Sequence, residues 1–295
     1  MTQAARFREL MRRDGTVVAP GAYDSITARL IERAGFDAVY MTGAGTAATL
    51  GYPDFGLVTM SEMVANAGRI AAAVALPVIA DADTGYGNEL NVVRTVREYE
   101  TAGVAGIHIE DQGFPKKCGH LEDKEIVPRG DWLAKIRAAA NARRSPDFLV
   151  IARTDSRAVA GFDEAIARAN AALAAGADMA FVEAPQTLEE VAAVPRLVKG
   201  PCLLNVVRGG KTPDLDLGEA QRLGYKLAIV PGLLIKNVVG ICEKMLDELK
   251  ATRRHPAPVR EMTVRETFQL WGADEWDSLR TRFRKAPDPR RDAAE

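Results

Sequence analysis

Two stretches of this sequence carry residue types that can do chemistry, at spacings a hydrophobic core does not call for. In "DADTGYGN" the carboxylates of Asp81 and Asp83 stand two apart, so on an extended strand end both face the same way. Glu110, which closes the run "AGIHIE", brings a third acid from the next strand. Three hard oxygen donors suit Mg²⁺, and Mn²⁺ accepts the same oxygens. The plainer alternative is a turn that Asp83 caps and the glycines bend; the third acid favours a metal. In "GFPKKCGHLEDKE", residues 113–125, one of three cysteines and one of three histidines lie two positions apart. Cys118 and His120 flank Gly119 and follow two lysines, a setting that can tune a thiol for proton transfer. The alternative there is an exposed loop cysteine without a role. Arg153 ends the run "DFLVIAR". A buried guanidinium needs an anion, either a substrate carboxylate or an internal partner such as Asp155 or Glu183.

These residues must be positioned by regular elements. The phrases "RAGFDAVYM", "TAGVAGIHIE", "AAGADMAFVEA" and "RLGYKLAIVPG" share one design: a helix end, a glycine, a turn and a strand. Adding "TVVAPG", "LPVIADAD", "DFLVIARTD" and "GPCLLNVV" gives eight strands, separated by helices such as "DSITARLIERA" and "FDEAIARANAALAA". The fold class is therefore α/β, a (β/α)₈ TIM barrel with C-terminal helices. A doubly wound open sheet is the alternative, disfavoured by the strand count and by the lack of G-x-G-x-x-G after the first strand. Barrel chemistry gathers at strand C-termini, and those ends read Thr42-Gly43-Ala44, Asp81 and Asp83, Glu110-Asp111, Arg153 with Asp155, Glu183 and Asn205. Residues 1–295 form a single barrel domain with a helical extension over about 236–285 and a disordered tail at 286–295. In the extension, Thr263 and Glu266 form a capping box, and the apolar stripe of Trp276, Leu279 and Phe283 needs a partner surface.

Composition limits the partners. The chain has 295 residues, 47% of them hydrophobic, and a formal charge of −1 with basic residues dispersed, which removes the electrostatic case for nucleic acid. A small molecule is the expected ligand. The N-terminal "MTQAARFRELMRRDG" reads as a short amphipathic helix and no apolar run is long enough to span a membrane, so none is expected. Three odd, dispersed cysteines argue against a disulfide framework and fit a cytoplasmic setting. Cys202 and Cys242 lie in apolar surroundings and read as core residues. "VRGGKTP" fails as a phosphate loop because the first glycine of that motif would fall at Asn205.

"EDQGFPKKCGH" together with "DADTGYGN" resembles the isocitrate lyase and phosphoenolpyruvate mutase superfamily, from about Pro20 to the C-terminal helix. The runs "FPKKCGH", "VEAP" and "GGKTP" look closest to its 2,3-dimethylmalate lyase and petal death protein branch. The resemblance implies a Mg²⁺-dependent barrel, a homotetramer with terminal helices exchanged between subunits, and metal acids at Asp81, Asp83 and, through water, Glu110. By motif it puts a catalytic aspartate at Asp54 of "LGYPD". Thr42, Gly43 and Ala44, with Arg153, match the holder of the α-keto acid carboxylate, although Thr42 and Ala44 depart from the commoner Ser and Gly. Glu183 and Asn205 match residues near the second carboxylate. Lyases of the family use the cysteine of this loop as general acid, which implies that role for Cys118, with His120 and Glu183 supporting the closed loop and Gly119 and His120 contacting the substrate. The implied reaction is retro-aldol cleavage of a 2-hydroxy di- or tricarboxylate, of substituted malate type, to pyruvate or glyoxylate plus a carboxylate. Relatives that cleave oxaloacetate tend to carry a serine where this chain has Pro231. Oxaloacetate hydrolysis or decarboxylation is therefore the alternative, with a C–P mutase behind it. A non-catalytic scaffold and a Schiff-base aldolase on Lys116 or Lys117 are further readings; those lysines lie in a loop and not on a strand.

Overall fold

The computed structural model describes residues 1–284. The chain forms two compact units, Met1–Val239 and Gly240–Glu295.

The first unit is a closed parallel barrel of eight strands in sequential order. They are β1 (Val17–Ala22), β2 (Val39–Met41), β3 (Val78–Asp81), β4 (Gly106–Glu110), β5 (Leu149–Thr154), β6 (Met179–Val182), β7 (Cys202–Asn205) and β8 (Leu227–Val230). Each matches one of the apolar phrases. Closure comes from β1 against β8, in the register Val17↔Leu227 to Pro20↔Val230. The strands are buried on both faces, as expected for a parallel sheet under helices. Side chains such as Tyr40, Ile79, Ile151, Phe181 and Ile229 fill the barrel, joined by Phe7 and Leu10 of the N-terminal helix Gln3–Arg12. That helix docks through Arg8, which pairs with Asp178 at 2.8 Å.

Strand register prepares the site. Asp81 lies beside His108, and Glu110 lies beside Arg153, because parallel neighbours bring their C-terminal ends to one rim. The helix Glu89–Thr101 starts at Asn88, whose side chain accepts from Leu90 and Asn91, so the "TGYGN" turn ends on a cap. Three elements were not read from the sequence, one of them the short helix Ser156–Ala160 directly after β5. The helix Gly43–Thr49 follows β2 directly, with Thr42 as its N-cap, and Arg129–Ala142 follows the long loop after β4.

The second unit contains the later part of the helix Leu233–Thr252, then Val264–Gln269 and Ala273–Arg284. The capping box of Thr263 and Glu266 is present. Trp276 and Phe283 are exposed. The expectation for Cys242 is corrected: Cys202 is buried, but Cys242 is exposed on a helix that buries none of its residues within this chain. The tail expected at 286–295 lies outside the described residues. No helix among the described residues is long and apolar enough to cross a membrane.

Candidate active site

At the C-terminal rim of the first unit lies a cavity of about 370 Å³. Of the residues singled out in the sequence, Thr42, Ala44, Asp54, Asp81, Cys118, Gly119, His120, Arg153, Glu183, Asn205 and Pro231 line it. Asp83 and Glu110 are buried and do not line it, and Gly43 packs so closely on Asp81 that a Cβ there would sit 2.5 Å from Oδ2. Thr42 Oγ1 is already engaged, accepting from Gly45 N at 3.4 Å. The turn of the plainer reading is present, with positive φ at Asp83, Gly85 and Tyr86, but its cap is Asp81 and not Asp83: Asp81 Oδ1 accepts from Asp83 N at 2.9 Å. One turn thus shapes the chain and aims both acids.

The acids differ in state. Burial alone would raise Asp81, but His108, Lys116 and Arg153 hold it down to about 2. Burial pushes Asp83 up to about 6; Asp81 and Asp54 act the same way, and Lys116 opposes them. Burial also drives Glu110 well above the usual carboxylate range against the pull of Arg153 and Lys116. Lys116, whose side chain is 3% exposed, bonds to Asp54 and stands 2.7 Å from Asp83. Its burial would lower it, and the surrounding Asp83, Glu110 and Asp54 instead raise it.

Does this cluster suit a divalent cation? Neither oxygen of the fully buried Glu110 has a hydrogen-bond partner among the described residues; its near cation is Arg153, at 3.3 Å, so it keeps unused acceptor capacity in a place where unmet polar groups are expensive. No three of the acids converge on one ligation point among the described residues. Mg²⁺ takes one or two carboxylates and keeps waters and substrate oxygens for its other positions, so the fit rests on the hard oxygens of Asp81 and Asp83 alone. The residues therefore fit the ion, with Asp81 and Asp83 as holders and Glu110 behind them.

Arg153 satisfies both of its expected internal readings. It donates to Asp155 through Nε at 2.9 Å and Nη2 at 3.2 Å, and stands 3.3 Å from Glu110 and 3.6 Å from Glu183. Asp111 serves the scaffold instead, accepting from Thr154 Oγ1 at 2.6 Å, Asp155 N at 2.7 Å and Arg168 Nη1 at 3.1 Å. Glu183 would be raised by burial, but Arg153 and His120 keep it ionised and well below the usual range. Asn205 donates to it at 3.1 Å.

Residues 113–125 fold over the rim. Gly113 N donates to Glu125 O at 2.8 Å, and the Gln112 amide exchanges two bonds with the Lys117 backbone at 2.8 and 2.9 Å, which closes the neck. His120 Nδ1 accepts from Lys211 N at 3.0 Å, leaving the proton on Nε2, 3.0 Å from Glu183 Oε1. "GGKTP" is therefore a brace for this histidine, and a Cβ on Gly210 would stand 2.6 Å from Nδ1. Sequence reasoning missed three participants. Tyr40 lies inside a strand and lines the cavity, with its hydroxyl 2.9 Å from His108 Nε2 and 3.3 Å from Asp81 Oδ2. The other two are Lys124, in the loop, and His108, inside the apolar run of β4. Only register could have exposed the Tyr40 and His108 pair.

Burial pushes the Cys118 thiol up, with Asp54 and Glu183 acting in the same sense and the His120 backbone opposing. A group with a raised pKa stays protonated at neutral pH, so Cys118 is a thiol there. Its alkylation by iodoacetamide is expected to be slow at neutral pH and to climb only above the ordinary thiol range of about 8.5. Peptide mass spectrometry against pH checks this, and rapid modification at neutral pH would mean a thiolate.

The chain is similar to several known proteins. The family model described as phosphoenolpyruvate phosphomutase matches residues 7–250. A 2,3-dimethylmalate lyase of Eubacterium barkeri is 53% identical over 232 residues, 78% of this chain and 80% of that one. A solved oxaloacetate acetylhydrolase in complex with the inhibitor 3,3-difluorooxalacetate superposes with a TM-score of 0.93 at 35% identity, covering 97% of this chain and 98% of that chain. A phosphonopyruvate hydrolase solved with oxalate and Mg²⁺ gives 0.88 at 30% identity, covering 97% and 100%. With a family match over most of its length and a rim that gathers the acids, arginine and thiol of the family's motifs, this chain belongs to the isocitrate lyase and phosphoenolpyruvate mutase superfamily of enzymes.

Proposed function

We propose that this chain is a divalent-metal-dependent carbon–carbon lyase that cleaves an alkyl-substituted malate between C2 and C3, giving pyruvate or glyoxylate and a carboxylate. The observation that carries this reading is the thiol of Cys118 lining the same cavity as Asp54, Asp81 and Arg153, with burial raising it. Asp81 and Asp83, with Glu110 behind them, would hold Mg²⁺ or Mn²⁺, which would supply Lewis-acid stabilisation of charge developing on the substrate. Thr42, Gly43 and Ala44, at the start of the helix after β2, bind that carboxylate together with Arg153. Asp54 accepts the hydroxyl proton beside Lys116. As the C2–C3 bond breaks, its electron pair passes into the distal carboxylate, and the S–H of Cys118 delivers its proton to C3. His120, Glu183 and Asn205 hold the loop closed around Gly119, and the loop keeps water from the carbanion.

The substrate class follows from the other wall. Leu121, Val207, Pro231 and Ile235 form an apolar side to the cavity, suited to alkyl substituents. Pro231 has no hydroxyl for a hydrated ketone. The likeness to a 2,3-dimethylmalate lyase supports this reading. A second reading, hydrolysis or decarboxylation of oxaloacetate, is favoured by the TM-score of 0.93 to an oxaloacetate acetylhydrolase. Exposed Trp276 and Phe283 support terminal helices packed on another copy, in a homotetramer, and the three free cysteines support a reducing, cytoplasmic setting. A coupled assay for pyruvate and glyoxylate tests the activity across oxaloacetate, malate, citramalate, 2,3-dimethylmalate, isocitrate and 2-methylisocitrate, with Mg²⁺ or with chelator. Metal-dependent keto acid release from a substituted malate is expected. Turnover of oxaloacetate alone would replace the first reading with the second.

A further inference from the structure

The loop over residues 113–125 has a feature that the proposed chemistry does not use. Lys124 lies near the end of the loop, yet its side chain is only 1% exposed. Its ammonium donates to the backbone carbonyl of Gly119 and, at 3.1 Å, to Asp155 Oδ1. Asp155 is itself fully buried and holds Arg153 through two hydrogen bonds. Its backbone N–H is fixed by Asp111 at 2.7 Å, so it cannot follow the loop when the loop moves. Gly119 sits between Cys118 and His120. A single buried ammonium thus ties the tip of the loop to the anchored counter-ion of the rim arginine. By contrast, Glu122, on the same loop, reaches Lys211 at 2.8 Å while its side chain remains 79% exposed, so that pair is weak.

We infer that Lys124 is a positioning residue, the latch that holds the loop closed and seats Cys118 in the cavity by joining Gly119 to Asp155. The cost of burying the ammonium is offset only while both acceptors are in place. Gly119 rides on the loop while Asp155 stays with the barrel, so opening the loop takes one of its two acceptors from the ammonium and leaves the charge under-paired. Asp155 keeps Arg153 in either state, so the latch governs the thiol and leaves the carboxylate clamp set. The catalytic consequence rests on the lyase reading above; the latch itself does not.

The test is Lys124→Met in the full chain. Methionine fills a similar volume, and Asp155 keeps Arg153 as partner, so no orphaned carboxylate results. The rate of Cys118 alkylation by iodoacetamide at neutral pH, read from the peptide that carries it, is expected to rise about tenfold or more, with thermal stability little changed. With a substituted malate that proves to be a substrate, kcat falls about ten- to a hundredfold while pyruvate affinity in the presence of Mg²⁺ holds. Glu122→Gln serves as control and is expected to leave alkylation unchanged. An alkylation rate equal to that of the unmodified chain overturns the latch, as does a rise of the same size in Glu122→Gln. If Lys124→Met does not fold, Lys124→Gln carries the same expectations. Should every substrate stay silent, the lyase reading fails while alkylation still decides the latch.

Discussion

Replacing Cys118 with serine is expected to lower kcat by about 10²–10⁴-fold, the usual contribution of a positioned general acid, or about 3–5 kcal/mol of barrel-site activation energy. Serine preserves the shape of the side chain, but its hydroxyl holds its proton far more tightly than a thiol does. Burial raises the thiol, yet a thiol is still far more acidic than an aliphatic hydroxyl. Arg153, Asp81 and Asp83 are untouched by the change, so pyruvate with Mg²⁺ is expected to bind within a few-fold of the unmodified chain. Calorimetric titration alongside the coupled assay separates these effects. Turnover by Cys118→Ser equal to that of the parent would remove the thiol from the chemistry and favour a reaction that needs no proton at C3.

Gly119→Ala is expected to lose about a hundredfold in kcat, the scale of a misplacement of roughly 1 Å in a reacting group. A Cβ at this position would stand 2.6 Å from Glu183 Cγ and closer still to Arg153 Nη2. Neither neighbour can yield: Arg153 is bound to Asp155, and Glu183 lies between His120 and Asn205. The methyl group therefore lifts the loop tip from the rim, and Cys118 and His120 with it. Faster alkylation of Cys118 should accompany the loss, and stability should hold, because the loop is not part of the barrel core. Activity within threefold of the parent would show that closure to this depth is not required.

Burial of the strands made the barrel legible in the sequence. A parallel strand covered on both sides must be apolar along its whole length, so β3, β4 and β5 stand out, and an ionisable residue at the end of such a run is conspicuous. Asp81, Glu110 and Arg153 were visible for that reason. The helix Gly43–Thr49 was not, because a short Gly- and Ala-rich turn carries no apolar period. Tyr40 and His108 escape notice for the opposite reason, since both lie inside strand runs. Their polar atoms meet only across the barrel, and strand alternation says nothing about a partner 68 residues away.

By itself, the sequence determined the number of strands, the rim on which polar groups collect and the loop that carries the thiol, because these depend on local pattern and on the side of the sheet a residue faces. Tertiary structure alone decided the charge states and the closure. A carboxylate's state depends on what surrounds it in three dimensions: Asp81 and Asp83 are two residues apart, yet Asp81 is held at about 2 and Asp83 is pushed up to about 6. Lys124 reads as one more solvated lysine until the fold brings Gly119 and Asp155 to its ammonium, and Asp155 lies 31 residues further along the chain.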